Sequence, residues 1–408
     1  MVVAAGTIIG SLTQWYLIWL LARTAGPDGV GVYSAALAVA TPLFTALRLG
    51  LRSTFLSAMT RWPESVYWRL RIGGLAASVL ILLALILILP GIPVGLGVAI
   101  AALKVSDGIV DLCQARVQYA DRMSFLGWST IANSVGTAIA ASIAVTVTGE
   151  VVAVVIASAA VSAASAAWTA YVGRTVTYVA DTADGAVRGI LSAGIPITVS
   201  QFLANLLIQL PVIALTMVDP ATVGRYAAAA YLVAAASMAG ATLQILLLTP
   251  FRRIRETSGA EAVRAYASRV LRSVMLIAAL CGVVVVLLGA PVLTFVYGAE
   301  FALDHLSLAF LAIAAIATVG SPVQSVVLTV LNRYKTVTMI MTASCVGSVL
   351  AGLAAFGLAA PPIVCASAMA ATGASVRYVL LNVFMQRATR DIAPDEWPEP
   401  GAREQQEG

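Results

Sequence analysis

Residues 72 to 103 carry no charge, and neither do residues 336 to 376. An uncharged apolar run of about 18 or more residues reads as a membrane-spanning helix, because the hydrocarbon core is ~30 Å thick and a helix rises ~1.5 Å per residue. Breaks at charges, glycines and prolines divide the chain into twelve expected spans: 1–22, 30–51, 72–90, 95–118, 124–147, 151–172, 190–217, 226–250, 271–297, 305–331, 336–357 and 362–386. Continuously apolar runs exclude a membrane barrel, whose strands alternate apolar and polar residues. The pattern predicts an all-α integral membrane protein.

Composition agrees. The chain is 60% hydrophobic and 11% charged, against about 25% charged in soluble proteins, with a mean hydropathy of +0.95. The four cysteines, Cys113, Cys281, Cys345 and Cys365, lie scattered in apolar runs and suggest neither a disulfide framework nor a zinc site. The opening stretch lacks a basic region and a small-residue cleavage pattern, so the first helix is expected to stay in the protein.

Lysine and arginine concentrate in cytoplasmic loops. Most of the 24 basic residues, Arg61, Arg69 and Arg71 among them, fall in the even-numbered connections and the tail, while the odd-numbered connections hold Arg23 and Arg225. Both termini are therefore expected in the cytoplasm, with the chain in the cytoplasmic (inner) membrane. The net charge of +5 reports this topology and implies no nucleic-acid partner. The longest cytoplasmic connection, Phe251 to Arg272, is expected to form an interfacial helix against anionic lipid. The Pro-rich, acidic segment 387–408 is expected to be a disordered tail.

The segment Gly26 to Ala36 recurs as Asp219 to Ala229. Pro27, Val30, Gly31, Tyr33, Ala35 and Ala36 match Pro220, Val223, Gly224, Tyr226, Ala228 and Ala229. The repeat predicts two parallel-related six-helix halves, 1–172 and 190–386, joined by a cytoplasmic linker over 173–189. Such halves alternate access around a central cavity.

Ionisable residues within spans cost several kcal/mol and almost always face a bundle interior. Lys104, Asp107, Asp111, Gln114 and Gln118 follow one another at intervals of 3, 4, 3 and 4, so all share one helix face. Lys104 and Asp107 are spaced to pair. Asp107 and Asp111 crowd each other, which favours a bound proton or Na⁺ and makes Lys104, Asp107 and Asp111 candidates for ion coupling; a structural ion pair would explain the same stripe. Arg48, Arg52 and Arg377 lie near one end of the spans, where guanidiniums can hold phosphoryl oxygens bidentately or snorkel to headgroups. Gln14, Asn133, Gln201, Asn205 and Gln209 could hydrogen-bond sugar hydroxyls or bridge helices. His305 with Asp304 and Glu300 offers weak grounds for a metal site. No Walker A, GxSxG or HExxH motif occurs, so neither an enzyme nor a cofactor is expected.

The stretch LLARTAGPDGVGVYSAALAVATPLFTALRLGLRSTFLSA, Leu20 to Ala58, resembles the first helical hairpin of the polysaccharide and O-antigen (Wzx-like) flippases of the multidrug/oligosaccharidyl-lipid/polysaccharide (MOP) exporter superfamily. The resemblance rests on Arg23, on Gly31 with Tyr33, and on Leu49-Gly50-Leu51, with Gly224 and Tyr226 repeating the pattern. The sequence departs from the family at its start, which lies inside the first span without preceding basic residues. The likeness implies a flippase for a lipid-linked, undecaprenyl-diphosphate-type oligosaccharide, with membrane lipids, H⁺ or Na⁺ and polysaccharide-assembly proteins as partners. A cation-coupled antiporter of the same superfamily is the main rival and a membrane glycan polymerase the lesser one.

Overall fold

The computed structural model describes residues 2–58, 60–89, 91–182, 184–330 and 334–390. Among them it contains α-helices, one short 3-10 turn (Ala299–Phe301) and no strand. The helices are α1 (Val2–Leu47), α2 (Leu51–Ser57), α3 (Glu64–Ile88), α4 (Val94–Tyr119), α5 (Met123–Thr148), α6 (Val151–Gly173), α7 (Ala186–Leu215), α8 (Pro220–Tyr297), α9 (His305–Val330), α10 (Tyr334–Gly357) and α11 (Pro362–Arg390). Most of the expected tail lies outside the described residues, but 387–390 extend α11 instead of beginning a disordered segment.

Two helices double back. In α1 the reversal is at Gly26, whose φ of 64° and ψ of −167° cost a side-chain-bearing residue dearly. Gly29, beside that turn, packs against Val151 at the start of α6, whereas Gly6 meets Gly127 near the start of α5 and Gly74 of α3 meets the Leu47 carbonyl. In α8, Phe251 and Tyr266 sit edge to face with ring centroids 5.4 Å apart. Fifteen residues of straight helix would separate them by about 22 Å. The chain therefore turns between them, and both ends of α8 return to the Gly26 end of the bundle.

That turn corrects the expectation of an interfacial helix over Phe251 to Arg272. Val263 and Ala267 are fully buried, and with Leu271 they pack against Val323, Val327 and Leu328 of α9 and Leu381 and Met385 of α11. One face of the segment belongs to the core, while Arg253, Ala265, Arg269 and Arg272 are exposed.

By length and composition, ten segments among the described residues are long and apolar enough to cross a membrane. The difference from twelve has two sources: the first two spans are continuous through Gly26, and α4 is excluded by its charges. This is a multi-pass membrane protein.

The repeated segments pack on each other. A Cβ added to Gly31 would collide with the carbonyl of Pro220, and one added to Gly224 with that of Pro27. The matched Val30, Tyr33, Ala35 and Ala36 and Val223, Tyr226, Ala228 and Ala229 are all buried in one apolar cluster. Small residues at matched positions let two backbones touch, which is how lipid-embedded helices gain packing energy.

Candidate functional site

At the end opposite Gly26, α1 stops because Leu49 and Gly50 adopt left-handed conformations, with φ of 55° and 58°. Gly50 presses on the Gly194 carbonyl of α7, 2.8 Å from where its Cβ would be. The seven-residue α2 that follows is held by buried Leu51 and Phe55; Phe55 stacks on Tyr178 at 4.8 Å and meets Tyr67 edge-on at 5.1 Å. This anchoring puts Arg48 and Arg52 on opposite sides of a bend.

Arg48 lines a cavity of about 300 Å³ together with Thr41, Phe44 and Thr45 of α1, Lys104 of α4, and Gln201, Ala204 and Asn205 of α7. The Arg48 Nε is buried without a hydrogen-bond partner. Neither Arg48 nor Lys104 takes part in any of the ion pairs formed among the described residues. The expected Lys104–Asp107 pair is thus not formed. Asp107 instead accepts a 2.7 Å hydrogen bond from Ser162 of α6, and Lys104 shares the cavity with Arg48. The helical turn between the two positions is enough to divide the stripe between a neighbouring helix and open space.

Arg52 leaves the cavity lining and lies along α4. Its Nη1 donates to Gln114 Oε1 at 3.1 Å and sits 3.4 Å from Asp111 Oδ1, and its Nη2 donates to Gln118 Oε1 at 2.8 Å. The other oxygen of Asp111 accepts from Arg71 Nη2 at 2.7 Å. Asp111, expected as an ion-coupling carboxylate, is therefore claimed by two guanidiniums. Arg71 is the residue of this cluster that the sequence did not reveal: counted as a loop anchor beside Arg69, it lies inside α3 with a side chain 0% exposed. Periodicity alone gives no sign that it faces α4.

The other candidates are dispersed. Arg377 of α11 is absent from the cavity lining and has a buried Nε without a partner; Asn133 of α5 has a buried Oδ1 in the same state. Gln14 is exposed on α1, and its carbonyl accepts from the Tyr231 hydroxyl at 3.4 Å. Near Gly26, Asp304 caps α9, accepting from the Ser307 amide at 3.0 Å and hydroxyl at 2.6 Å. Burial pushes its carboxyl up, but the Ser307 hydrogen bonds outweigh this and hold it below the usual range. His305 faces the Val286 carbonyl, 3.1 Å from Nδ1, so Asp304 and His305 have separate structural partners.

The sequence signature of the polysaccharide biosynthesis protein family matches residues 1–246. The chain belongs to that family. Its Wzx-like flippases are therefore the group in which the Leu20 to Ala58 hairpin finds its likeness. No curated protein sequence matches the chain. Among solved structures, the lipid II flippase MurJ in an inward closed conformation aligns with a TM-score of 0.67 at 13% identity, covering 95% of this chain and 89% of that one. An inward-facing multidrug resistance MATE family transporter of the MOP superfamily aligns with a TM-score of 0.65 at 13% identity, covering 94% and 96%. The Vibrio cholerae MATE transporter VcmN in its bent form gives 0.61 at 14%, covering 95% of each chain. At these identities the likeness establishes the MOP-type fold, whose family and neighbours are transporters and flippases.

Proposed function

We propose that this protein is a flippase carrying a lipid-linked oligosaccharide, of undecaprenyl-diphosphate type, from the cytoplasmic to the outer leaflet of the cytoplasmic membrane, with both termini cytoplasmic. The observation that carries the reading is the pair Arg48 and Lys104, two cations without ion-pair partners among the described residues, lining one cavity beside two amides. A diphosphate diester brings two negative charges, and Arg can hold phosphoryl oxygens bidentately while Lys adds a point charge. Gln201 and Asn205 then stand where the first sugar hydroxyls follow the phosphates.

In this scheme the halves 1–172 and 190–386 rock about α1, α7 and α8, which join them. Each negative charge moved outward gains ~2.3 kcal/mol per 100 mV of inside-negative potential. Asp107, whose hydrogen bond from Ser162 leaves its second oxygen without a partner among the described residues, is the better candidate for a coupling proton or Na⁺. Asp111 serves better as a counter-ion. Arg52 and Arg377, outside the lining in this conformation, would meet the substrate only in another one. An antiporter of cationic drugs is disfavoured because its substrate would face Arg48 and Lys104 together.

The test is a leaflet-exchange measurement in proteoliposomes with a fluorescent prenyl-diphosphate oligosaccharide. Wild-type protein should move it, and Arg48→Ala and Lys104→Ala should each abolish movement at unchanged protein content. Undiminished movement in both variants would overturn the reading.

A further inference from the structure

The cluster around the cavity holds four cations, Arg48, Lys104, Arg52 and Arg71, and two carboxylates, Asp107 and Asp111. Asp107 faces Ser162, and Arg48 lies within electrostatic reach of both Lys104 and Arg71. Asp111 is the group on which the balance turns, because each of its oxygens faces a different guanidinium.

The two pairs are unequal. Arg71 approaches Asp111 to 2.7 Å with a side chain 0% exposed, whereas Arg52 stands at 3.4 Å with a side chain 33% exposed. Charges interact far more strongly at short range and away from water. Arg71 therefore supplies most of the compensation for Asp111. Arg52 is held mainly by the amide oxygens of Gln114 and Gln118, which orient it without cancelling its charge.

Arg71 has no visible work besides this one. Its Nε and Nη1 are buried without hydrogen-bond partners, an expensive arrangement for a residue that only filled space. Were Arg71 neutral, Asp111 could turn wholly to Arg52 and cancel it.

We infer that Arg71 is a positioning residue that ties up Asp111 so that Arg52, beside the Arg48–Lys104 cavity but outside its lining, stays uncancelled and adds its charge to the positive field that an anionic headgroup meets there. The inference rests on the proposed flippase reading and adds to it what sets the charge of the site. It predicts effects of opposite sign for the two partners of one ion pair. Loss of Arg71 lowers the positive charge available to the anion, and loss of the Asp111 charge raises it.

The experiment measures inorganic pyrophosphate binding to the purified full-length protein in nanodiscs by calorimetry, alongside thermal stability. Arg71→Met should weaken binding roughly tenfold, Asp111→Asn should tighten it severalfold, and both changes should shrink in high salt. The double variant should bind near the wild-type level. A purely structural pair would instead make both single variants bind worse in step with lost stability, and that outcome overturns the inference. Asn can still accept the Arg71 hydrogen bond, so Asp111→Asn decides the matter even if Arg71→Met does not fold: tighter binding supports the inference, while unchanged or weaker binding overturns it. Arg48→Ala separates the two claims. Wild-type binding that disappears in Arg48→Ala, with Asp111→Asn unchanged, rejects the role of Arg71 alone; absence of wild-type binding rejects the anion cavity and this inference together.

Discussion

Gly31 and Gly224, matched positions of the internal repeat, lie against each other: a Cβ on Gly31 would come to 3.0 Å from the Gly224 amide nitrogen, and a Cβ on Gly224 to 2.9 Å from that of Gly31. Each also abuts a backbone carbonyl across the interface, of Pro220 and Pro27 respectively. Backbone cannot rotate aside as a side chain can. Even Gly31→Ala or Gly224→Ala should therefore cost about 1–3 kcal/mol and lower the thermal stability of the purified protein. Gly73→Ala is the control, since nothing lies within 4 Å of its would-be Cβ, and it should be neutral; its neighbour Gly74, pressed on the Leu47 carbonyl, should not tolerate the change.

A lysine at position 48 keeps the charge but loses the fork. Arg48→Lys should retain part of the transport that Arg48→Ala loses, because an ammonium offers a point charge without bidentate geometry. Initial rates of leaflet exchange, normalised to protein in the membrane, would show this. Full activity in Arg48→Lys would leave charge as its only contribution.

Asp107 is expected to couple transport to an ion gradient. Asp107→Asn, which removes a negative charge from the cluster, should not weaken pyrophosphate binding but should remove any stimulation of transport by an imposed proton or Na⁺ gradient. Ser162→Ala, which takes away the 2.7 Å hydrogen bond to Asp107, should weaken the response of transport to an imposed gradient without abolishing transport. A gradient response unchanged in Asp107→Asn would remove this residue from the scheme.

Asp219 opens α8, accepting from the Thr222 amide at 2.8 Å with Pro220 at the first helical position. Hydrogen bonds from the Thr222 hydroxyl and amide hold its carboxyl below the usual carboxylate range. A carboxyl lowered by folding contributes stability above its unfolded pKa of about 3.9 and loses it as pH falls through the lower native value. Asp219→Ala should thus cost about 1 kcal/mol at neutral pH, with the difference from wild type vanishing in strong acid. Thermal unfolding followed from pH 7 into strong acid, well below the unfolded pKa of about 3.9, would test both halves of the statement.

What could be read without coordinates was what local pattern fixes. Uncharged runs longer than a bilayer is thick force helices, so the membrane-spanning α-fold was legible, and so was the repeat, because Pro27, Gly31 and Tyr33 recur at the same spacing as Pro220, Gly224 and Tyr226. The 3-4 spacing of Lys104, Asp107, Asp111, Gln114 and Gln118 fixed their common face. It did not fix what that face meets. Tertiary packing gave Lys104 to the cavity, Asp107 to Ser162 and Asp111 to Arg71 and Arg52, and the bend at Leu49 and Gly50 parted Arg48 from Arg52. Arg69 and Arg71 are equivalent as sequence, two basic residues near a helix start, yet Arg71 is wholly buried. Likewise, the turn between Phe251 and Tyr266 folded Val263 and Ala267 into the core where their basic surroundings suggested a lipid surface. The physical reason is common to all of these. Periodicity along one helix states which side chains point the same way, but the partner that satisfies them comes from a helix distant in sequence, and only packing chooses it.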